Sequence, residues 1–168
     1  MEILQSHGCA INVLTKGGTR AVQDFDILAF NPNSWFGTTL TYRDELKSKK
    51  HEPGAASPRD RITAIKAAKK VGVKTWVSME PIVSKDEAMA LLYQSFEFVD
   101  LFKIGKMNHR KGISENELRS FLLEATETLD RHEKEYYIKL DTRPFLNNKP
   151  VWSANRYTTG ENNGNNHG

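Results

Sequence analysis

A glutamate stands directly before a proline at the end of an apolar run. In the stretch TWVSMEPIVSKDEAMALL, residues 75–92, Glu80 follows the run and precedes the start of a predicted helix. An ionisable side chain at the end of a buried strand is a common position for an active-site group in α/β proteins. Glu80 is therefore the first candidate for ligand binding. The alternative is a loop residue paired with a nearby lysine, which contributes little.

Polar side chains also follow the other predicted strands. They are Thr15 and Lys16, Thr39 and Thr41, Ser78 beside Glu80, Lys106 and Asn108, and Lys139 and Asp141. Side chains two positions apart on a strand point to the same face, so Thr39 pairs with Thr41. Ser78 pairs with Glu80 for the same reason. Polar residues are common wherever a chain leaves the core, so the set indicates a binding rim more strongly than any single position does.

Three other patterns give weaker signals. Lys16 in TKGG is a candidate phosphate contact, because glycine lets backbone N–H groups approach an anion. The full phosphate-loop spacing G-x-x-x-x-G-K-[ST] is absent, and a solvated turn is the simpler interpretation. The five histidines and Cys9 have no metal-ligand spacing, which predicts that this chain alone supplies no metal site. Among the histidines, only His109 neighbours a candidate, Asn108.

Three helices are predicted to begin at serines. The starts are Ser57 with Asp60, Ser84 with Glu87, and Ser114 with Glu117. In the S-x-x-E spacing the serine oxygen accepts the N–H of the third helical residue, while the glutamate reaches back to the serine N–H. In the first helix Pro58 takes the first helical position and Gly72 follows the end.

Short runs rich in β-branched and aromatic residues lie between and before these helices. They cover residues 11–15, 35–42, 73–79, 99–104 and 136–140. Alternation of strands and helices predicts an α/β fold with about five parallel strands, because a parallel neighbour is reached only by crossing back over the sheet. The carboxyl ends of such strands meet at one rim, where the polar candidates would gather.

The composition is that of an ordinary globular chain. Of 168 residues, 38% are hydrophobic and 27% are charged, and the net charge of +3 does not by itself argue for nucleic acid. We expect one domain over residues 1–146 and a disordered Asn/Gly-rich tail over residues 147–168. With one cysteine, no signal peptide and no long apolar span, we expect a cytoplasmic protein with no membrane segment.

Four segments together resemble a known family. They are LTKGG, GTTLTY, HEPGAASPRDRITAIKAAKKVGVKTWVSMEPI and DLFKIGKMN. They resemble the carboxyl-terminal half of the radical S-adenosylmethionine (radical SAM) enzymes, in the spore photoproduct lyase and DNA-repair-photolyase-like branch. The resemblance extends from Ile3 to about Phe145, and its most specific part is EPGAASPRDRI followed by SMEP.

The resemblance implies the carboxyl-terminal half of a partial (βα)6 TIM-like barrel. In the family, an earlier CxxxCxxC segment holds a four-iron four-sulfur cluster through three thiolates. That motif is absent, and Cys9 alone cannot replace it. Three explanations of the missing motif are open: the chain is truncated, it is one half of a split gene, or it is a relic. An amino-terminal half carrying CxxxCxxC would be the partner, and lyase-like activity would depend on it.

The resemblance also implies roles for the candidate residues. Thr39 and Thr41 would face the ribose or carboxylate of S-adenosylmethionine, with Ser78 and Glu80 beside them. Arg61 would offer its guanidinium to that carboxylate, and the alternative for Arg61 is a surface pair with Asp60 or Glu52. Substrate contacts would come from Lys16, Lys106, Asn108 and Lys139.

No substrate class follows from the sequence, and neither small molecules nor nucleic acid are excluded. The alternative function is a non-catalytic binding or assembly half. A barrel that begins at the strand INVLT leaves an unpaired edge, which invites association with another chain.

Overall fold

A computed structural model describes residues 1–106 and 113–146 of the chain. The strands are β1 (Asn12–Leu14), β2 (Trp35–Thr39), β3 (Lys74–Ile82), β4 (Leu101–Lys106) and β5 (Glu135–Ile138). The helices are α1 (Glu2–Ser6), α2 (Phe25–Ala29), α3 (Glu45–His51), α4 (Pro58–Lys70), α5 (Lys85–Ser95) and α6 (Glu115–Arg131). Two 3₁₀ segments cover Gly18–Asp24 and Arg143–Leu146.

The five strands form one sheet in which every neighbouring pair is parallel. Their spatial order β1-β2-β3-β4-β5 follows the sequence. In the register, Thr39 lies opposite Ser78, Ser78 opposite Lys103, and Lys103 opposite Tyr137. Right-handed crossovers that always advance in one direction keep the helices on one side of the sheet, as in a barrel and unlike a doubly wound sheet. The predicted α/β fold with five parallel strands is confirmed.

The hydrophobic core fills the space between the sheet and the three long helices. Its side chains include Ile65 and Ala68 of α4, Leu91 and Leu92 of α5, Phe121 and Leu122 of α6, and Val77, Met79, Phe102 and Ile104 of the sheet. The strand members alternate along β3 and β4, as the period-two geometry of a strand requires. One face of the sheet is therefore committed to packing.

The three predicted serine caps are confirmed. The hydroxyl oxygens of Ser57, Ser84 and Ser114 accept the backbone N–H groups of Asp60, Glu87 and Glu117 at 3.2, 3.2 and 3.3 Å. Each hydroxyl satisfies one of the N–H groups that a helix start leaves unpaired.

The other predicted contact of the capping boxes, from each glutamate carboxylate back to the N–H of its own serine, is wrong. The carboxylate of Glu87 accepts the N–H groups of Arg43 and Asp44 and contacts the Lys47 ammonium, and it thus joins α5 to the start of α3. The carboxylate of Glu117 accepts the N–H of Lys85 at 3.0 Å and joins α6 to α5. Both glutamates connect elements distant in sequence instead of closing their own helix starts.

Three short elements around β2 were not predicted. They are the first 3₁₀ segment, α2 and α3. Of these, α3 has a clear local signal, because the Asp44 side chain accepts the N–H groups of Leu46 and Lys47 at 2.8 and 2.9 Å.

Two expectations concern the carboxyl-terminal tail and membrane-spanning helices. The predicted tail over residues 147–168 lies outside the described residues. Within residues 1–106 and 113–146, none of the helices has the length and apolar character needed to cross a membrane.

Candidate functional site at the inner face of the sheet

The sheet face opposite the helices carries polar and aromatic side chains. We call it the inner face; it includes Asn12, Gly37, Thr39, Trp76, Ser78, Glu80, Lys103, Gly105, Tyr137 and Lys139, together with the apolar Leu14 and Leu101 in the same register as Gly37 and Trp76. Alternation along β3 produces it, because Val77 and Met79 pack into the core while Trp76, Ser78 and Glu80 point the other way. The face therefore combines hydroxyl, carboxylate and ammonium groups.

At the carboxyl end of the inner face, Glu80 and Lys139 form an ion pair, so Glu80 has the lysine partner that the alternative interpretation expects, although it lies in strand β3 and not in a loop. The pair reaches from β3 to the residue after β5, and it passes directly over Gly105 of β4. A Cβ atom at position 105 would lie 2.9 Å from Lys139 Cδ and 3.1 Å from Glu80 Cδ, so the pair needs a residue with no side chain beneath it. The side chains remain 28% and 33% exposed, so a ligand can reach both charges.

The backbone holds Glu80 in position. Its carbonyl oxygen accepts the Thr41 hydroxyl at 3.4 Å, and the Glu80–Pro81 peptide bond is cis. Thr41 is buried, and the chain reaches it two residues after β2 ends. Thr41 thus lies beside Glu80, as the predicted rim requires.

A second row of side chains lies below the ion pair. It consists of Thr39, Ser78, Lys103 and Tyr137, which are neighbours in register across four strands. Thr39 and Ser78 are 7% and 5% exposed. Their hydroxyl groups can donate and accept hydrogen bonds, which suits recognition of a polar ligand.

Trp76 lies below this row. Its indole packs on Gly37 of β2 and donates a hydrogen bond to the Asn12 side chain at 2.9 Å. On its ring lies the Lys103 ammonium, 3.9 Å from the centroid, within the range of a cation–π interaction. The tryptophan therefore closes the amino-terminal end of the inner face with an apolar surface.

Arg61 lies away from the inner face and is fully buried, with 1% exposure. It donates hydrogen bonds to the carbonyl oxygens of Ala56 and Thr39 at 2.7 and 2.9 Å. It also donates to the Ser48 hydroxyl at 3.2 Å and to the Glu52 carboxylate at 2.6 Å. These contacts favour the alternative of a pair with Glu52, although the pair is buried and does not lie at the surface. The predicted contact with a ligand carboxylate has no geometric support.

Glu52 joins Arg61 to Lys16, which it contacts at 2.6 Å through its other carboxylate oxygen. Burial by itself would raise the pKa of Glu52, but hydrogen bonds from Lys16 and Arg61 outweigh it and hold the pKa below the usual value. We call Arg61, Glu52, Lys16 and Ser48 the buried hub. It ties the end of β2 to α3, α4 and the loop after β1.

Of the residues predicted to contact substrate, only some lie on the inner face. Lys139 lies on the inner face, whereas Lys16 belongs to the buried hub with its own side chain 43% exposed. The Lys106 ammonium lies 5.6 Å from the centroid of the Phe145 ring, and its strand position is on the opposite face from Lys103 and Gly105. Asn108 lies outside the described residues. Lys106 is therefore not part of the inner-face group.

Lys103, Tyr137 and Trp76 are inner-face residues that the sequence did not single out as candidates. Alternation alone would have found two of them, because Trp76 precedes Ser78 by two positions and Tyr137 precedes Lys139 by two. Lys103 has no comparable signal. Its position depends on the register of β4 against β3 and β5.

The residues of the chain do not fit an iron–sulfur cluster. The sequence has one cysteine, Cys9, which is exposed and free. In the described part of the chain, no group of three histidine, cysteine, aspartate or glutamate side chains is arranged to hold a metal ion. A four-iron four-sulfur cluster needs several thiolates, so this chain cannot ligate it alone.

Comparison with known proteins identifies relatives only by fold. The sequence matches no known family model and no curated protein. The structure is similar to crystal structures of SuiB from Streptococcus suis, including one bound to the precursor peptide SuiA (TM-score 0.64) and one bound to S-adenosylmethionine (TM-score 0.63). Both are 15% identical in sequence.

The match covers 81% of this chain and 33% and 34% of the two SuiB chains. The chain thus spans about a third of the length of SuiB. At this identity the likeness establishes the fold alone, and both the assignment to the radical SAM enzymes and the assignment to their photolyase-like branch stay predictions.

Proposed function

We propose that this chain is the S-adenosylmethionine- and substrate-positioning half of a radical SAM enzyme. The observation that carries the proposal is the inner face, where Glu80, Ser78 and Thr39 lie together at the carboxyl ends of consecutive parallel strands. Ligands of parallel α/β folds bind at these ends. The fold similarity to SuiB, whose structure is known with S-adenosylmethionine bound, supports this choice of ligand.

The inner face offers a contact for each part of such a ligand. The Glu80 carboxylate accepts hydrogen bonds from ribose hydroxyl groups, and Ser78 and Thr39 add neutral donors and acceptors beside it. Lys139 faces the same space and holds an anionic group of the substrate. Glu80 in turn orients Lys139 through the ion pair.

The reductive chemistry needs thiolates from outside these 168 residues. Because Cys9 cannot hold a cluster, an amino-terminal half with CxxxCxxC would supply it, and the lyase-like reaction of the photolyase-like branch is proposed only in the presence of that half. The residues described here bind and orient; no electron-transfer step is assigned to them.

Binding of S-adenosylmethionine tests the proposal directly. We expect saturable binding to the chain by isothermal titration calorimetry, and we expect Glu80→Gln to weaken it roughly ten-fold or more, because a hydrogen bond to a charged group is lost. Glu127→Gln is the matched control, since Glu127 is 65% exposed and paired with Arg131 on α6, away from the inner face.

Two results would contradict the proposal. One is the lack of saturable binding at millimolar S-adenosylmethionine. The other is equal affinity of the Glu80→Gln and Glu127→Gln variants, which would mean that Glu80 does not contact the ligand.

A second candidate function, an assembly half without catalysis of its own, rests on the surface around β1. Among the described residues, six of the ten exposed large apolar side chains belong to the first 30 residues: Met1, Ile3, Leu4, Leu14, Val22 and Phe30. Strand β1 is an edge of the described sheet, and Leu14 on it is 51% exposed. An exposed apolar side chain on an open strand edge, such as Leu14, is typical of a protein contact.

Sedimentation velocity with a separate polypeptide that carries a CxxxCxxC segment tests this candidate. We expect a one-to-one complex that Leu14→Lys disrupts and Leu140→Lys leaves intact, because Leu140 is 69% exposed but lies next to β5 at the far edge. A complex equally sensitive to both variants would not form through β1. A complex that forms without any binding of S-adenosylmethionine would favour assembly over catalysis.

A further inference from the structure

A second concavity opens at the carboxyl end of β1, apart from the inner-face group. It has a volume of about 460 Å³. Its walls are the loop after β1, the start of the first 3₁₀ segment, and the loop from α3 to α4, residues 51–55. The TKGG motif forms one wall, so this motif has a structural context that its spacing alone did not indicate.

The loop that carries TKGG is fixed on both sides. Its Gly17 N–H donates to Thr15 Oγ1 at 3.0 Å, and the Lys16 carbonyl oxygen accepts the Ala56 N–H at 2.9 Å. Gly18 has φ +61°, and a Cβ atom there would lie 1.9 Å from the Asp60 carboxylate. A side chain at position 18 is therefore excluded, and glycine allows the positive φ that the loop has there.

Arg20 is held at the edge of this concavity. Its Nε donates to the Gly17 carbonyl oxygen at 3.1 Å, which orients the guanidinium. In the described part of the chain its two terminal nitrogens have no hydrogen-bond partner. A guanidinium that is fixed through Nε keeps a planar pair of donors for a two-oxygen acceptor and loses less side-chain entropy when it binds one.

The side chains around the concavity leave an excess of positive charge. Lys16 and Arg20 are cationic, and Glu52 is the acidic side chain among the lining residues. The Glu52 carboxylate is already shared between Lys16 and the buried Arg61, so it neutralises neither cation fully. An anion placed between Lys16 and Arg20 would complete the charge balance.

We propose that this concavity binds the oxyanion group of a small ligand, a phosphate or a carboxylate, through the Arg20 guanidinium and the Lys16 ammonium. The two side chains carry the site, because the Gly17 and Thr19 N–H groups of the loop already donate to Thr15 Oγ1 and to the Asp60 carboxylate. The site does not depend on S-adenosylmethionine binding at the inner face.

The test is a titration of the ¹⁵N-labelled chain with sodium phosphate and, separately, with sodium acetate, at an ionic strength kept constant with sodium chloride. We expect saturable shifts confined to the amides of the loop after β1 and of residues 51–55. Saturation with phosphate, acetate or both supports the site and distinguishes the two chemistries. Shifts that fail to saturate with either anion would overturn the proposal.

Substitution of Arg20 gives the sharper result. We expect Arg20→Gln to weaken anion binding roughly ten-fold, because a charge-assisted hydrogen bond is lost, with no change in melting temperature, since Arg20 does not contact Glu52. Arg59→Gln removes the same charge from an exposed position on α4 outside this concavity, and should bind as the unmodified chain does. Equal affinities of the two variants, whether both weakened or both unchanged, would contradict a specific site.

Discussion

Two ion pairs at the carboxyl end of the sheet use the same chemistry in opposite surroundings. Glu52 and Arg61 are 2.6 Å apart in the buried hub, where Arg61 is 1% exposed. Glu80 and Lys139 are paired on the inner face, where both remain about one-third exposed. The first pair is surrounded by protein, and the second faces open space.

The difference indicates which pair serves the fold and which can serve a ligand. Arg61 donates to the backbone of Thr39 and Ala56 as well as to Glu52, so little of its bonding capacity is left for a ligand. Glu80 and Lys139 are partly solvated, so a ligand can replace the contact of one with the other at small cost. A charged residue near a predicted rim is therefore a poor guide to function until its partners are known.

The largest expected effect is loss of the buried hub. Arg61→Met removes one of the two cations that contact Glu52 and the side-chain donor to the carbonyl oxygens of Ala56 and Thr39. We expect the free energy of unfolding to fall by about 3 kcal/mol, the lower end for a broken buried pair, because Lys16 still contacts Glu52. Urea denaturation measures it. Arg59→Met, two residues away and exposed, is the control and should change stability by less than about 0.5 kcal/mol.

A loss of stability no greater in Arg61→Met than in Arg59→Met would erase the distinction between the two pairs. It would also return Arg61 to the group of candidate ligand contacts.

The next effect is the pH dependence of the hub. Burial alone would raise the pKa of Glu52, but hydrogen bonds from Lys16 and Arg61 outweigh it and hold the pKa in the folded chain below the ordinary value of 4.5. Its contribution to stability is therefore complete above about pH 4.5 and is lost as the pH falls through the folded pKa. Urea denaturation between pH 7 and pH 3 should show a steeper acid loss for the unmodified chain than for Glu52→Gln. If stability falls equally with pH in the unmodified chain and in Glu52→Gln, the pKa of Glu52 is the same in the folded and unfolded states.

Glu87 provides a comparison within the same experiment. Burial would raise its pKa, but hydrogen bonds from Lys47 and from the Arg43 and Asp44 N–H groups lower it overall, so Glu87 adds to the acid loss in the same direction. The stability of Glu52→Gln should therefore still fall partly as the pH is lowered. Only the double substitution of Glu52→Gln with Glu87→Gln should flatten this pH dependence further.

The smallest effect on stability is expected at the inner face. Glu80→Gln breaks a partly solvated pair and should lower the free energy of unfolding by less than about 1 kcal/mol, even though it weakens ligand binding. Thermal denaturation measures the change. A loss as large as that of Arg61→Met would show that Glu80 supports the fold, and the proposed site would lose its central residue.

Local signals in the sequence predicted the long elements well. Ser57, Ser84 and Ser114 cap the three long helices because a helix start leaves N–H groups that a neighbouring hydroxyl satisfies. The five β-rich runs became five strands, with limits that differ by a few residues. The short α2 makes no side-chain cap hydrogen bond, and it was not predicted.

The candidate site was only partly predictable. Alternation in β3 placed Ser78 and Glu80 on one face, and the parallel arrangement brought Thr39 beside Ser78. The partners of charged side chains did not follow from spacing. Glu87 and Glu117 bind segments more than 30 residues away in sequence instead of their own helix starts.

By itself the sequence determined the order of helices and strands, because caps, periodicity and β-branched runs act over a few neighbouring residues. It also determined that a cluster needs thiolates from elsewhere, because it contains one cysteine. Tertiary structure alone decided which charges are enclosed and which are open. Arg61 and Lys139 are both cations near strand ends, but the energy of an ion pair depends on burial and on every other partner, which packing of distant segments sets.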